Sequence, residues 1–185
     1  MKTLQFLFIS ILISASNQVF SVENDRSESN STVPYVDINR YMGQWFEIAS
    51  IPVRFQRDCV GTTANYKLLE NGQVQVLNTC RKFELDGELV EAKGRGRVVE
   101  AQTNSKLEIS FVGPFFGDTW FFWADYWIVE LGENYEYAVV GSPSREYLWV
   151  LSRDKTMNDE LFNAILERRK LDGYDTTKLK RTKQK

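Results

Sequence analysis

From residue 44 onward, apolar and polar positions alternate with a period of two. Thr62, Ala64, Tyr66 and Leu68 share one face, and Thr63, Asn65 and Lys67 the other. Asn71-Gly72 then supplies a hairpin turn of the favoured two-residue kind. The return run sets Val74, Val76 and Asn78 against Gln73 and Gln75. Further on, Val90, Ala92, Gly94, Gly96 and Val98 alternate with Glu91, Lys93, Arg95 and Arg97, and Leu107, Ile109 and Phe111 with Lys106, Glu108 and Ser110. These are half-buried antiparallel strands, each with one wet face. Three later runs, 124–131, 134–142 and 145–152, are apolar on both faces and need a cover outside. The segment from about 157 to 171 supplies it as a helix. Met157, Leu161 and Ile165 recur every four residues, Phe162 and Leu166 widen the stripe, Thr156 or Asn158 caps the start and Gly173 ends it.

The earlier runs fall at 44–53, 60–69, 73–82, 87–95, 96–101 and 105–112. Gly94 and Gly96 bend the two between 87 and 101 into one strand. Eight strands result, a number that closes into a meandering barrel with room for one small ligand. A two-sheet sandwich satisfies the same alternation. The 185 residues are 43% apolar and 26% charged with a net charge of -2, which suits one core-bearing domain and gives no field for nucleic acid. The chain has no histidine. Histidine-based triads, histidine-ligated zinc and a histidine-held haem are thereby excluded.

Residues 1–21 join one lysine, the apolar run Leu4 to Ile13 and a stretch of small and polar residues, the pattern of a cleaved export signal. Cleavage is expected after Ser21, with Ser16 as the alternative. Residues 22–35 read as a flexible polar leader in which Asn30-Ser31-Thr32 is a formal glycosylation acceptor. The domain itself is expected over 36–179, followed by a basic tail at 180–185. No cysteine lies near the cut, so the expected product is periplasmic or secreted without an N-terminal lipid anchor. An even pair, Cys59 and Cys80, favours a disulfide in an exported chain, contributing roughly 3 kcal/mol. Pairing around Asn71-Gly72 sets Cys80 opposite about Thr63, so the bridge requires Cys59 to lie on a loop that folds back.

Several stretches resemble the lipocalin family. "GQW" at 43–45 resembles its glycine-x-tryptophan signature, and "YLWVLSR" at 147–153 its last strand with a closing arginine. "ANYKLLENGQVQVLN" at 64–78 and "FVGPFF" at 111–116 resemble the apolipoprotein D, plant temperature-induced and bacterial outer-membrane members. The resemblance implies an all-β, eight-stranded antiparallel up-and-down barrel with one C-terminal helix packed outside. It implies that Trp45 and Arg153 stack at the closed end, worth about 0.5–2 kcal/mol, with Gly43 permitting the close approach. The chain departs from the family at "LGENY" (131–135), where Gly132 stands at the position of an aspartate, and in lacking the acylated cysteine of the bacterial members.

The resemblance also carries ligand contacts onto Tyr66, Asn78 and Trp149. Alternation independently turns Tyr66 and Asn78 inward, with Ala64 and Val76 on the same hairpin face. Asn78 is the one amide on that apolar face and needs a partner. Trp127, Tyr137, Ile109 and Phe111 are the candidates for the remaining wall, with ordinary packing as the alternative for each. Arg54 and Arg57 in the first loop read first as solvated loop residues, with pairing to an anionic head as the alternative. Aromatics crowd "GPFFGDTWFFW" at 113–123, making Phe115, Phe116, Trp120 and Phe121 a lid or a membrane-dipping loop, with inward packing as upper core the alternative. The leading function is binding or transport of a fatty acid, lysophospholipid or similar lipid, without cofactor or metal. The expected partners are that ligand and peripheral membrane contact, with no nucleic acid and the chain as monomer or weak homodimer. The alternatives are an enzyme with a Cys59 or Cys80 thiol nucleophile and a membrane-associated protein acting through the aromatic loop.

Overall fold

The computed structural model describes residues 31–112 and 122–184. The first 30 residues, including the signal, most of the leader and Asn30, and the loop residues Phe115, Phe116, Trp120 and Phe121 lie outside the described residues. A short helix α1 (Ile38–Tyr41) leads into strand β1 (Gly43–Ser50). The strands β2 (Cys59–Leu68), β3 (Val74–Lys82), β4 (Leu89–Val98), β5 (Lys106–Val112), β6 (Ala124–Leu131), β7 (Tyr137–Gly141) and β8 (Leu148–Ser152) follow. Helix α2 (Asp159–Leu171) and a two-residue strand β9 (Lys180–Arg181) complete the order.

From β1 to β8 each strand pairs antiparallel with the next, and β1 also pairs with β8, so the sheet closes on itself. Closure selects the barrel over the sandwich. Strand β4 runs unbroken through both glycines. A Cβ on Gly94 would stand 2.9 Å from the Phe111 ring, so this glycine lets Phe111 lie against the wall.

Two clusters share the apolar residues. Inside the barrel pack Trp45, Tyr66, Val76, Ile109, Ile128, Val140 and Leu151. Outside, α2 lays Phe162 and Ile165 over Ile48, Val129, Val139, Leu148 and Val150. This second cluster explains why β6, β7 and β8 read as apolar on both faces. Asn158 caps α2, accepting from the Glu160 and Leu161 amides at 2.7 and 3.2 Å.

The closed end is built around Arg153. Its guanidinium lies 3.7 Å from the Trp45 ring centroid and donates to the carbonyls of Gln44, Arg40, Tyr41, Met42 and Tyr135. Three of these acceptors lie at the C-terminal end of α1, where helix carbonyls have no partner of their own. Gly43, at φ +92°, starts β1 directly below. The 132–135 loop is ordered without the family's aspartate: Tyr135 N–H donates to the Gly132 carbonyl, and the Asp37 amide donates to the Tyr135 hydroxyl.

Cys59 and Cys80 are bridged, with Cα atoms 5.4 Å apart. The expectation that Cys59 must lie on a folded-back loop is corrected by the register. The turn has three residues rather than two, with Gly72 at φ +79°, so Leu68 faces Val74. A bulge between Val60 and Thr63 shifts the pairing once more and sets Cys59 opposite Lys82. Cys80, two residues back on the same face, is then its diagonal neighbour across the ladder.

The basic tail takes an element of its own. Beyond Phe46 the ladder between β1 and β2 stops, and the chain from Lys180 onward fills the gap. Arg181 and Lys180 pair with Ala49 and Ser50, Thr182 N–H donates to the Ile48 carbonyl, and Gly61 N–H donates to that of Lys183. The Gln184 side-chain amide bridges the carbonyls of Glu47 and Thr62 at 2.7 and 2.9 Å.

Candidate functional site

The barrel encloses a cavity of about 730 Å3. Tyr66, Asn78, Ala64, Ile109, Phe111 and Trp149, all expected from the sequence, line it. Val76 faces inward but lies deeper, in the packed layer with Tyr41, Val74 and Leu107. Trp127 and Tyr137 do not reach the cavity. Both belong to the outer cluster under α2, where the Tyr137 hydroxyl donates to Glu130 and Lys106 stacks on Trp127. On β6 it is Tyr126 and Ile128 that point inward, and on β7 Ala138 and Val140. Because both faces of these strands are apolar, alternation alone does not say which is inner.

Tyr126 is the chief residue that the sequence reading missed. Its hydroxyl joins those of Tyr41 (2.8 Å) and Tyr66 (3.0 Å) at the cavity floor. Three hydroxyls in a chain of two hydrogen bonds leave one O–H proton for a further acceptor. Burial holds the hydroxyls of Tyr41 and Tyr126 well above the ordinary tyrosine value and pushes that of Tyr66 up to about 12. All three are therefore neutral donors and acceptors. The signal was present in "ADYWIVEL", but which aromatic faces inward depends on register that the sequence does not display.

The upper wall carries a second polar group that was missed. Glu47 is buried on the inner face of β1, two residues beyond Trp45. Here alternation was informative, since Gly43, Trp45 and Glu47 share one face. Its carboxyl accepts from Ser50 (3.0 Å), Thr182 (2.6 Å) and the Gln56 amide (3.1 Å). Burial raises its pKa above the ordinary carboxylate value, and these donors offset only part of that rise. Gln56 in turn accepts from Trp149 Nε1 at 3.3 Å, so the first loop is tied across the cavity from β1 to β8. Arg54 lies at the cavity edge, and Arg57 is not part of its lining.

Two polar atoms in the wall have no hydrogen-bond partner among the described residues, Asn78 Oδ1 and Thr62 Oγ1. Asn78 does not bond Tyr66, whose hydroxyl is engaged with Tyr126. Among the described residues no group of three or more Cys, Asp or Glu side chains converges to hold a metal. An apolar chamber with a few convergent polar atoms is suited to an amphiphile.

Residues 36–184 match the family model described as a Lipocalin-like domain. The chain belongs to the lipocalin family. Its sequence is 37% identical to the outer membrane lipoprotein Blc of Vibrio cholerae over 82% of this chain and 85% of that protein. Temperature-induced lipocalin-1 of Arabidopsis thaliana is 35% identical, covering 80% of each, and mouse apolipoprotein D 31% identical, covering 80% of this chain and 77% of its own. Among solved structures, lobster apocrustacyanin A1 aligns with a TM-score of 0.62 at 20% identity, over 80% of both chains. Insecticyanin from the tobacco hornworm Manduca sexta aligns at 0.63 and 18%, over 83% and 84%. At such identities these last two speak for the fold of this lipocalin.

Proposed function

We propose that this lipocalin binds and carries a small hydrophobic or amphiphilic molecule, of the size of a monoacyl lipid, inside the barrel. The observation that carries the reading is the cavity of about 730 Å3, whose apolar wall of Ile109, Phe111, Val140 and Leu151 is interrupted by few polar atoms. A void of that size left empty forfeits packing on every side. Membership in a family that includes an apolipoprotein supports the same reading.

Export is part of the proposal. The disulfide fits an oxidising compartment, and the similar Vibrio cholerae protein is an outer membrane lipoprotein. The sequence has two cysteines, and the bridge engages both. With both sulfurs in the bridge, the arrangement favours a carrier over a thiol enzyme.

Native mass spectrometry of the protein purified from its source tests the proposal. A mass increment of one amphiphile per chain, lost on denaturation, is the expected result. A chain free of ligand that also fails to bind any monoacyl lipid added to it would contradict it.

A further inference from the structure

The inner end of the cavity is closed by three phenols brought from three elements, Tyr41 from α1, Tyr66 from β2 and Tyr126 from β6. Tyr41 stacks on Tyr66 with ring centroids 5.9 Å apart, and Tyr126 meets Tyr66 edge-on at 6.1 Å, so ring packing fixes where the hydroxyls lie. Tyr126 is the middle member, bonded to Tyr41 at 2.8 Å and to Tyr66 at 3.0 Å. Tyr66 and Tyr126 line the cavity, whereas Tyr41 sits behind them in the layer of Val74, Val76 and Leu107. Tyr41 and Tyr66 are buried, and Tyr126 is half-buried.

Each phenol brings one proton and lone pairs for incoming bonds. Two bonds use two of the three protons, and the third has no acceptor among the described residues. A buried donor left without an acceptor is rare. On Tyr41 the spare proton would be enclosed by the apolar layer. On Tyr126 it meets the cavity, with Tyr41 and Tyr66 both donating to the Tyr126 oxygen. Accepting two hydrogen bonds polarises that hydroxyl and strengthens its own donation.

The partner must therefore accept one bond, and it must carry no charge. No lysine or arginine lines this layer. An ionised carboxylate here would lose its water for a single hydrogen bond, at heavy cost. A ketone, ester, ether or hydroxyl oxygen avoids that cost, while a plain methyl end leaves the Tyr126 proton unpaired.

We propose that Tyr126 is a specificity-determining donor at the inner end of the cavity, selecting ligands whose buried end carries an uncharged oxygen acceptor over those ending in plain hydrocarbon. Tyr41 and Tyr66 act as positioning residues that hold its hydroxyl. The proposal rests on the carrier reading and adds the chemistry of the ligand's far end.

Two probes test it: methyl hexadecanoate, and its analogue with a carbon-13 ketone on the penultimate tail carbon. Each is titrated below its aggregation concentration, with intrinsic tryptophan fluorescence as the signal. An apolar floor would bind the keto ester about tenfold or more weaker than the plain ester, because the buried ketone goes unpaired. The expected result is a keto ester bound at least as tightly, with its ketone stretch shifted below its position in hexane. Tyr66→Phe leaves the Tyr41–Tyr126 pair with its spare proton, so the ratio of the two affinities stays within about threefold. Tyr66→Phe/Tyr126→Phe removes both hydroxyls that line the cavity. It should weaken the keto ester about tenfold, leave the plain ester within about twofold and return the stretch toward its hexane position. Melting temperatures confirm that both variants are folded. A keto ester that binds about tenfold or more weaker than the plain ester, a ratio already lost in Tyr66→Phe, or a stretch unchanged in the double variant would overturn the assignment to Tyr126 and leave the carrier standing. Failure of both esters to bind would overturn the carrier reading as well.

Discussion

Arg153 satisfies carbonyls from three separate places, the end of α1, the start of β1 and the loop before β7, while its face covers Trp45. A lysine in its place keeps the charge but has a single nitrogen to donate from and no planar face. Arg153→Lys should therefore cost roughly 2–4 kcal/mol, read as a fall in melting temperature, and leave ligand affinity nearly unchanged. Loss of binding at an unchanged melting temperature would show that this end of the barrel takes part in recognition. The pair was readable from sequence because glycine-x-tryptophan and the closing arginine are local patterns. Trp127 and Tyr137 were not readable in the same way. Their strands are apolar on both faces, and only the seat of α2 distinguishes inner from outer.

The strands and α2 were visible as elements because each shows a clean period or a capping residue. Strand β9 was not, since a charged run such as "KLKRTKQK" carries no apolar alternation. Its place is decided by backbone hydrogen bonding: β1 and β2 part above Phe46, and the exposed edges need a partner. Removing residues 180–185 should lower stability by about 1–3 kcal/mol. The Gly61 amide, which donates to Lys183, should then exchange with solvent much faster, while the Tyr66–Val76 region keeps its protection. Unchanged melting and unchanged Gly61 exchange would mean that the tail is dispensable to the wall. The disulfide, too, depends on backbone pairing. Its two halves meet through a three-residue turn and a bulge, each altering register by one residue, and neither is marked strongly enough in the sequence to be counted.

At the scale of the molecule, closure of the sheet on itself and one external helix leave an interior that side chains do not fill. The fold places its polar atoms at two levels, the tyrosine hydroxyls on the floor and the Glu47, Thr62 and Asn78 group above. The middle is apolar. Under the proposed reading, such an arrangement would take an acyl tail lengthwise in the apolar middle. The most direct test is contact mapping by nuclear magnetic resonance with a monoacyl lipid whose tail is carbon-13 labelled. Tail contacts to Ile109, Phe111 and Tyr126 are expected, with none to Trp127 or Phe162 on the outer wall. Tail contacts confined to the outer surface, with the interior residues silent, would contradict binding inside the barrel.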